Sequence, residues 1–325
     1  MRGSVMKVGT VADGSGGMAN AERTVVEMLS LGEERLRQAG VPDAAVDCQW
    51  LMAAALHCSR TELALRRREV VQGEERLNWE RFLEKRSQRI PLQHILKKMS
   101  FAELTIAVDG RALIPRPETE ELTTALVRCN PSPRRILDLG TGSGACILAL
   151  GTAFPDATLT AVDNDAAALQ LAHENAVLCG LDGRICWQLS DWFSQLDGTW
   201  DLIVANPPYL SQEEWETCAD EVRLFDPRQA LVSGCGGMAD GQRILSDGIF
   251  FIDPFGILAM EIGQGQGQKL KSFAKKQGWR WVAVAKDLAG QDRFLFAAQS
   301  TTMRLSRWPN LFHAATNLTC IRTCA

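Results

Sequence analysis

RRILDLGTGSG, residues 134–144, opens with an apolar stretch of strand character and ends in a turn carrying glycines at 140, 142 and 144. The residues that follow, ACILALGTA at 145–153, contain no proline and read as a helix. A strand running through a glycine turn into a helix is the unit of an α/β fold, and the same alternation continues in both directions. TLTAVD (158–163), RICWQLSD (184–191), WDLIVANPP (200–208) and GILAMEIG (256–263) read as further strands, with a helical stretch at 166–178 between the first two. WRWVAVAKDLAGQDRFLFAA (279–298) reads as two last strands joined as a hairpin through residues 287–292. The expected fold is therefore a Rossmann-like, mostly parallel sheet with helices on both faces and an antiparallel final hairpin.

Upstream the pattern changes. From Ala21 to Lys98 apolar residues recur at three-to-four spacing: Val25, Val26, Leu29 and Leu36, then Val46, Trp50, Leu51, Ala54 and Ala55, then Leu77, Phe82 and Leu83. Gly40, Pro42 and Gly73 punctuate these runs, which predicts a small domain of about four helices. Arg66, Arg67, Arg68, Arg81, Lys85, Arg86 and Arg89 form either a solvated face or a docking face for an acidic or RNA-bound partner. In the connector IAVDGRALIPRPETEEL (106–122), Pro115 and Pro117 forbid a continuous helix, while Glu118, Thr119 and Glu120 can begin one. The expected organisation is a disordered leader (1–20), a helical domain (21–98), a connector (99–122), an α/β domain (123–299) and a tail of unassigned role (300–325). A length of 325 residues suits one α/β domain with a smaller partner.

The net charge of −4 and pI near 5.7 call for no obligatory nucleic acid, and no apolar run approaches the roughly 20 residues of a membrane span. The residues point to a soluble, cytoplasmic protein. The ten cysteines are scattered without a CxxC pair and are expected to be reduced and mostly buried, and no metal site is expected. Cys320 and Cys324 leave room for a metal or disulfide in the tail.

The chemistry concentrates at the strand ends. Glycines 140, 142 and 144 remove Cβ atoms so that a ligand can approach the backbone, and the helix start offers free amide donors. The spacing is GxGxG rather than the GxGxxG of pyrophosphate sites, and Asp138 stands where it would repel a phosphate. S-adenosyl-L-methionine has no phosphate but carries an ammonium and a sulfonium, which a carboxylate suits. Asp163, ending the next strand, can accept from both ribose hydroxyls, or else cap the following helix. Asp191 and Trp192 can bond an adenine amine and pack on its ring. Asn206-Pro207-Pro208-Tyr209 closes the fourth strand: the Asn206 oxygen and the Pro207 carbonyl can accept both hydrogens of a planar NH2 group, with the Tyr209 ring on its face. By itself that tetrapeptide also reads as a Pro-Pro turn with an Asn cap.

With these motifs the chain resembles class I methyltransferases carrying an NPPY motif, and more closely the release factor glutamine N5-methyltransferases. The resemblance runs from about Ala21 to Ala298 through RxxRxPLQHIL (86–96), LIPRPETEEL (113–122), RILDLGTGSG, AVD, SDWF, NPPY, FDPRQAL (225–231) and DLAGQDR (287–293). It implies a helical N-terminal domain joined by a hairpin-like connector to a seven-stranded catalytic domain, acting as a monomer. The implied substrate is the glutamine of the Gly-Gly-Gln loop of a class 1 peptide chain release factor, held in the cleft between the domains. Carried over by motif, Gly140, Thr141, Gly142, Ser143, Gly144, Asp163, Trp192 and Asn206 would contact the cofactor, and Asn206, Pro207, Pro208 and Tyr209 would hold the amide. Arg116 and Glu120 would shape the cleft from the connector, or serve as an interdomain salt bridge. Lys97 and Lys98 stand where the family usually has a glycine. Two other readings stay open: an adenine-N6 methyltransferase using the same amino cradle on a flipped base, and a binding factor without catalysis.

Overall fold

The computed structural model describes residues 22–129 and 132–300. The leader, nearly all of the tail, and Cys320 and Cys324 lie outside the described residues. The chain divides into two compact units between Leu92 and Gln93.

In the first unit the helices are Val25–Gln38, Ala44–Ala55, Arg60–Leu65 and Gly73–Ser87. Thr24 with Glu27 and Ser59 with Glu62 form capping boxes that satisfy otherwise orphaned amides at two of the helix starts. Val25, Met28, Leu36, Leu51, Met52, Trp79 and Leu83 make the core. Gly32 lets the first and fourth helices approach, since a Cβ there would sit 2.5 Å from the Trp79 ring. The buried faces are turned from the apolar pattern of the sequence: Val46, Trp50 and Leu77 are exposed, and the Arg60 guanidinium lies 5.0 Å over Trp50. Arg86, expected on the charged face, is buried instead, its Nε 2.7 Å from Asp47 Oδ2. Removing either partner would strand a buried charge, at a cost of about 3–5 kcal/mol.

The second unit begins with a hairpin, β1 (Lys98–Phe101) and β2 (Leu104–Ala107). Of Lys97 and Lys98, Lys97 adopts φ 61°, a left-handed conformation that carries a steric cost for any side chain. The connector then starts the helix Pro117–Arg128, with Arg116 at the N-cap and proline in the first turn. Strands β3 (Arg135–Leu139), β4 (Thr158–Asp163), β5 (Ile185–Leu189), β6 (Trp200–Ala205), β7 (Ile252–Glu261), β8 (Trp281–Lys286) and β9 (Asp292–Ala298) form one sheet in the order β5-β4-β3-β6-β7-β9-β8. The first five are parallel, and β9 inserts antiparallel between β7 and β8.

Both faces of this sheet are covered, which explains the continuous apolar runs. Ile136, Leu159, Leu202, Val204 and Ala259 pack on one side with Leu122, Leu126, Ile147 and Leu148. Leu137, Leu139, Ile203, Leu258 and Met260 pack on the other with Ile244, Leu245, Leu270 and Ala274. Strand order reverses at β3, between β4 and β6, so their carboxyl ends open a crevice where α/β sheets bind ligands.

The cysteines are less buried than expected: Cys48, Cys129 and Cys146 are buried free thiols, whereas Cys186 and Cys235 are exposed. Among the described residues no helix is long and apolar enough to cross a membrane.

Candidate active site

The glycine turn joins β3 to the helix Ala145–Ala153, with φ of 69°, 55° and 83° at Gly140, Gly142 and Gly144. At Gly144 a Cβ would press 3.1 Å from Ala172, whereas at Gly142 its nearest neighbour would be Ala112 at 3.8 Å, leaving the backbone open to the crevice. Asp138 is buried beneath the turn and accepts from the Thr141 hydroxyl at 2.7 Å. Burial pushes its carboxyl up to about 7, with the nearby Asp163 adding to the rise. Asp163 accepts from the Gly142 amide at 2.9 Å and the Asp165 amide at 3.0 Å, and so pins the turn. The helix cap is Asp165, which accepts from the Ala167 amide. Each Asp163 oxygen retains a lone pair for a further donor. Asn175, fully buried, bonds the Ala107 amide and carbonyl and the Ser143 carbonyl, fastening β2 to the turn.

At the end of β5 the backbone takes φ 51° at Trp192, an unusual conformation for a bulky residue and a mark of a constrained site. Its indole lies beside Gly140 and donates to Asp240 Oδ1 at 3.1 Å, while Asp240 Oδ2 accepts from the Ser233 hydroxyl. Asp191 is held by Arg243, whose Nη1 lies 2.8 Å from both carboxylate oxygens. Phe193 turns inward and stacks on Phe251.

At the end of β6, Asn206 Nδ2 donates to Thr119 Oγ1 at 3.0 Å. Thr119 in turn donates to Glu261 Oε2 at 2.8 Å, and Glu261 Oε1 is buried without a hydrogen-bond partner. Burial lifts the Glu261 carboxyl to about 7, while Thr119, the Tyr209 hydroxyl and Arg293 pull it back. Burial also raises the Tyr209 phenol, and the Arg293 guanidinium sits 5.8 Å over its ring. Past the motif the chain is anchored: the Tyr209 carbonyl accepts from Gln266 Nε2, and Leu210 exchanges backbone bonds with Leu231 and Ser233 in the segment after FDPRQA.

One cavity brings together Asp138, Gly140, Thr141, Gly142, Ser143, Asp163, Asp191, Trp192, Asn206 and Pro208. Gly144, Pro207, Tyr209 and Arg116 stand outside its lining. Arg116 pairs with the buried Asp226 at 2.5 Å, and Glu120 accepts from the Ala102 amide; both partners belong to the same unit. Asp165 and Asp240 add to the carboxylates of the wall. Among the described lining residues the cationic side chain is Arg111, and it is already committed to Asp109 and Glu174. The charged groups of the lining are thus mostly carboxyls, an arrangement that favours a cationic ligand over a phosphate. Thr119, Asp240, Asn175 and Glu261 were not singled out as site residues from the sequence, because only their partners in space distinguish them.

Residues 27–96 match the model of the PrmC N-terminal domain, and residues 118–235 that of the methyltransferase small domain. Release factor glutamine methyltransferase of Deinococcus radiodurans is 36% identical over 278 residues, covering 84% of this chain and 98% of the relative. Its counterpart in Caulobacter vibrioides is 31% identical over 280 residues, covering 85% and 97%. The chain belongs to the release factor glutamine methyltransferase family. Members of this family align across both the helical unit and the sheet unit, so the resemblance read from the motifs holds over nearly the whole of each relative. The hMettl16 catalytic domain, solved in complex with MAT2A 3'UTR hairpin 6, superposes with a TM-score of 0.53 over 68% of this chain and 83% of its own. At 18% identity that likeness is one of fold, the class I methyltransferase sheet, and says nothing of substrate.

Proposed function

We propose that this enzyme methylates the side-chain amide nitrogen, N5, of the glutamine in the Gly-Gly-Gln loop of class 1 peptide chain release factors, with S-adenosyl-L-methionine as methyl donor. The observation that carries the reading is an anionic glycine-turn cavity with Asn206 at its edge, in a chain whose relatives bear that name. S-adenosyl-L-methionine supplies, when bound, a methyl group on a positively charged sulfur. Asp138, residues 140–143, Asp163, Asp191 and Trp192 would hold it: the carboxylates suit its cations and hydroxyls, and the fixed indole suits its base.

An amide nitrogen is a poor nucleophile because its lone pair is delocalised into the carbonyl. The Asn206 oxygen and the Pro207 carbonyl accept the two hydrogens of the substrate NH2 and orient it, with Pro208 stiffening the loop and Tyr209 against the amide. During methyl transfer positive charge would grow on the substrate nitrogen, and the Asn206 oxygen and the Pro207 carbonyl would stabilise it. The methylated nitrogen then releases its proton to water, so no general base is required. Arg116, locked to Asp226, shapes the connector above this site.

The same reading has the enzyme working in the cytoplasm as a monomer, with a protein rather than nucleic acid as its partner. Transfer of labelled methyl to a purified class 1 release factor tests it, beside a Gln→Ala variant of the Gly-Gly-Gln loop and a DNA control. Labelling that requires the loop glutamine is the expected result; labelling of DNA alone overturns it.

A further inference from the structure

Three elements far apart in sequence meet behind Asn206. Glu261 ends β7, Thr119 lies in the first turn of the helix Pro117–Arg128, and Asn206 follows β6. All three are linked by hydrogen bonds, and Thr119 and Glu261 are buried. The direction of these bonds matters more than their number. A threonine hydroxyl has one proton, and Glu261 Oε2 accepts it when the carboxyl is ionised and equally when the carboxyl carries its own proton on the other oxygen. With its proton committed to Glu261, Thr119 can only accept from Asn206, so the Asn206 NH2 faces Thr119 and its Oδ1 faces away. A reversed amide would set its oxygen against the Thr119 lone pairs and turn its NH2 toward another NH2.

We propose that Thr119 and Glu261 are positioning residues of the transfer site, a hydrogen-bond chain of fixed polarity that holds the Asn206 oxygen toward the amide being methylated. This rests on the function proposed above for Asn206. A carboxyl group in a closed interior is a cost to folding that an apolar side chain would avoid, and the orientation of Asn206 is the return on it. Glutamine in place of Glu261 keeps the shape but brings donor hydrogens, so the chain loses its enforced direction. Valine in place of Thr119 keeps the shape and removes the link. Serine in place of Thr119 keeps the hydroxyl.

The test measures kcat for methyl transfer to a class 1 release factor, S-adenosyl-L-methionine affinity by calorimetry, and melting temperature, on the full chain. Glu261→Gln and Thr119→Val are expected to lower kcat by about 10- to 100-fold with cofactor affinity within about threefold of wild type, and Thr119→Ser to restore most of the turnover. Combining Thr119→Val with Asn206→Ala should cost no more than Asn206→Ala alone, because the two act through one atom. Full kcat in Thr119→Val, or equal loss in Thr119→Ser and Thr119→Val, overturns the proposal. The threonine pair decides the matter even if Glu261→Gln does not fold. Wild-type turnover in Asn206→Ala would instead remove the role of Asn206 itself; loss there alone, with Thr119→Val and Glu261→Gln active, removes only the positioning chain.

Discussion

Arg111 grips Glu174 with both guanidinium nitrogens, Nη1 to Oε1 at 3.0 Å and Nη2 to Oε2 at 2.7 Å, while its Nε and Nη2 also bond Asp109. The grip fastens the connector, which supplies part of the cavity wall, to the helix Ala166–Leu178. The paired carboxylates hold the arginine charged, and its charge lowers the pKa of both. Arg111→Ala is expected to cost about 1 kcal/mol of stability and to weaken cofactor binding about five- to tenfold with kcat at saturation little changed. Arg111→Lys should recover little, because an ammonium cannot reproduce the fork. Calorimetric titration and denaturant unfolding measure the two effects.

Asn206→Ala is expected to lower kcat by about a hundredfold or more while changing cofactor affinity less. Rapid-quench methyl transfer at saturating cofactor reads this directly. A normal turnover number would sink the assigned role.

Two buried carboxyls titrate near neutrality. Asp138 stands at about 7 without a cation beside it, so below that pH a cationic ligand must displace a proton to bind. Affinity for S-adenosyl-L-methionine should therefore fall by up to about tenfold per pH unit below 7, and fall again above about 8 as the ligand's own α-amino group loses its charge. Asp138→Asn should remove the acid limb. Binding curves at pH 5.5 to 8.5 give the test.

The same groups act on stability with a definite sign. Asp138 and Glu261 both have folded pKa values raised to about 7, so the folded state keeps protons that the unfolded chain has released. Their contribution is full below pH 4 and is lost as pH rises through 7, by on the order of 1 kcal/mol per pH unit for each group. The melting temperature of the cofactor-free protein should fall between pH 5 and 7.5. A rise over that range in wild type, unchanged in Glu261→Gln, would contradict it.

Lys97 is exposed and left-handed at φ 61°, so Lys97→Gly removes a steric cost without removing packing. The variant should gain about 0.5–1 kcal/mol in denaturant unfolding, less than the full cost because glycine also gains freedom in the unfolded chain. Unchanged methyl transfer in that variant is expected, since the residue lies outside the cavity lining.

Much of the architecture was legible because its causes are local. A strand covered on both faces reads as a nearly continuous apolar run, which is why WDLIVA and ILAME stand out, and a tight turn under a ligand demands glycine, which marks residues 140–144. The prolines flanking Arg116 announced the helix Pro117–Arg128 in the same way. Rotation of the first unit's helices about their axes was not legible, since Gly32 and the buried Arg86 carry no periodic apolar signal and take their place only against Trp79 and Asp47. Nor was the setting of Asn206: Thr119 lies 87 residues before it and 142 residues before Glu261 along the chain, and they meet because β6 and β7 are neighbours in the sheet and the connector helix packs on them. Period and turn chemistry act over a few residues, so the sequence alone determined the strands, the glycine turn and the Asn206 motif. Hydrogen-bond polarity between distant side chains depends on strand order, and only the tertiary structure decided which way the Asn206 amide faces.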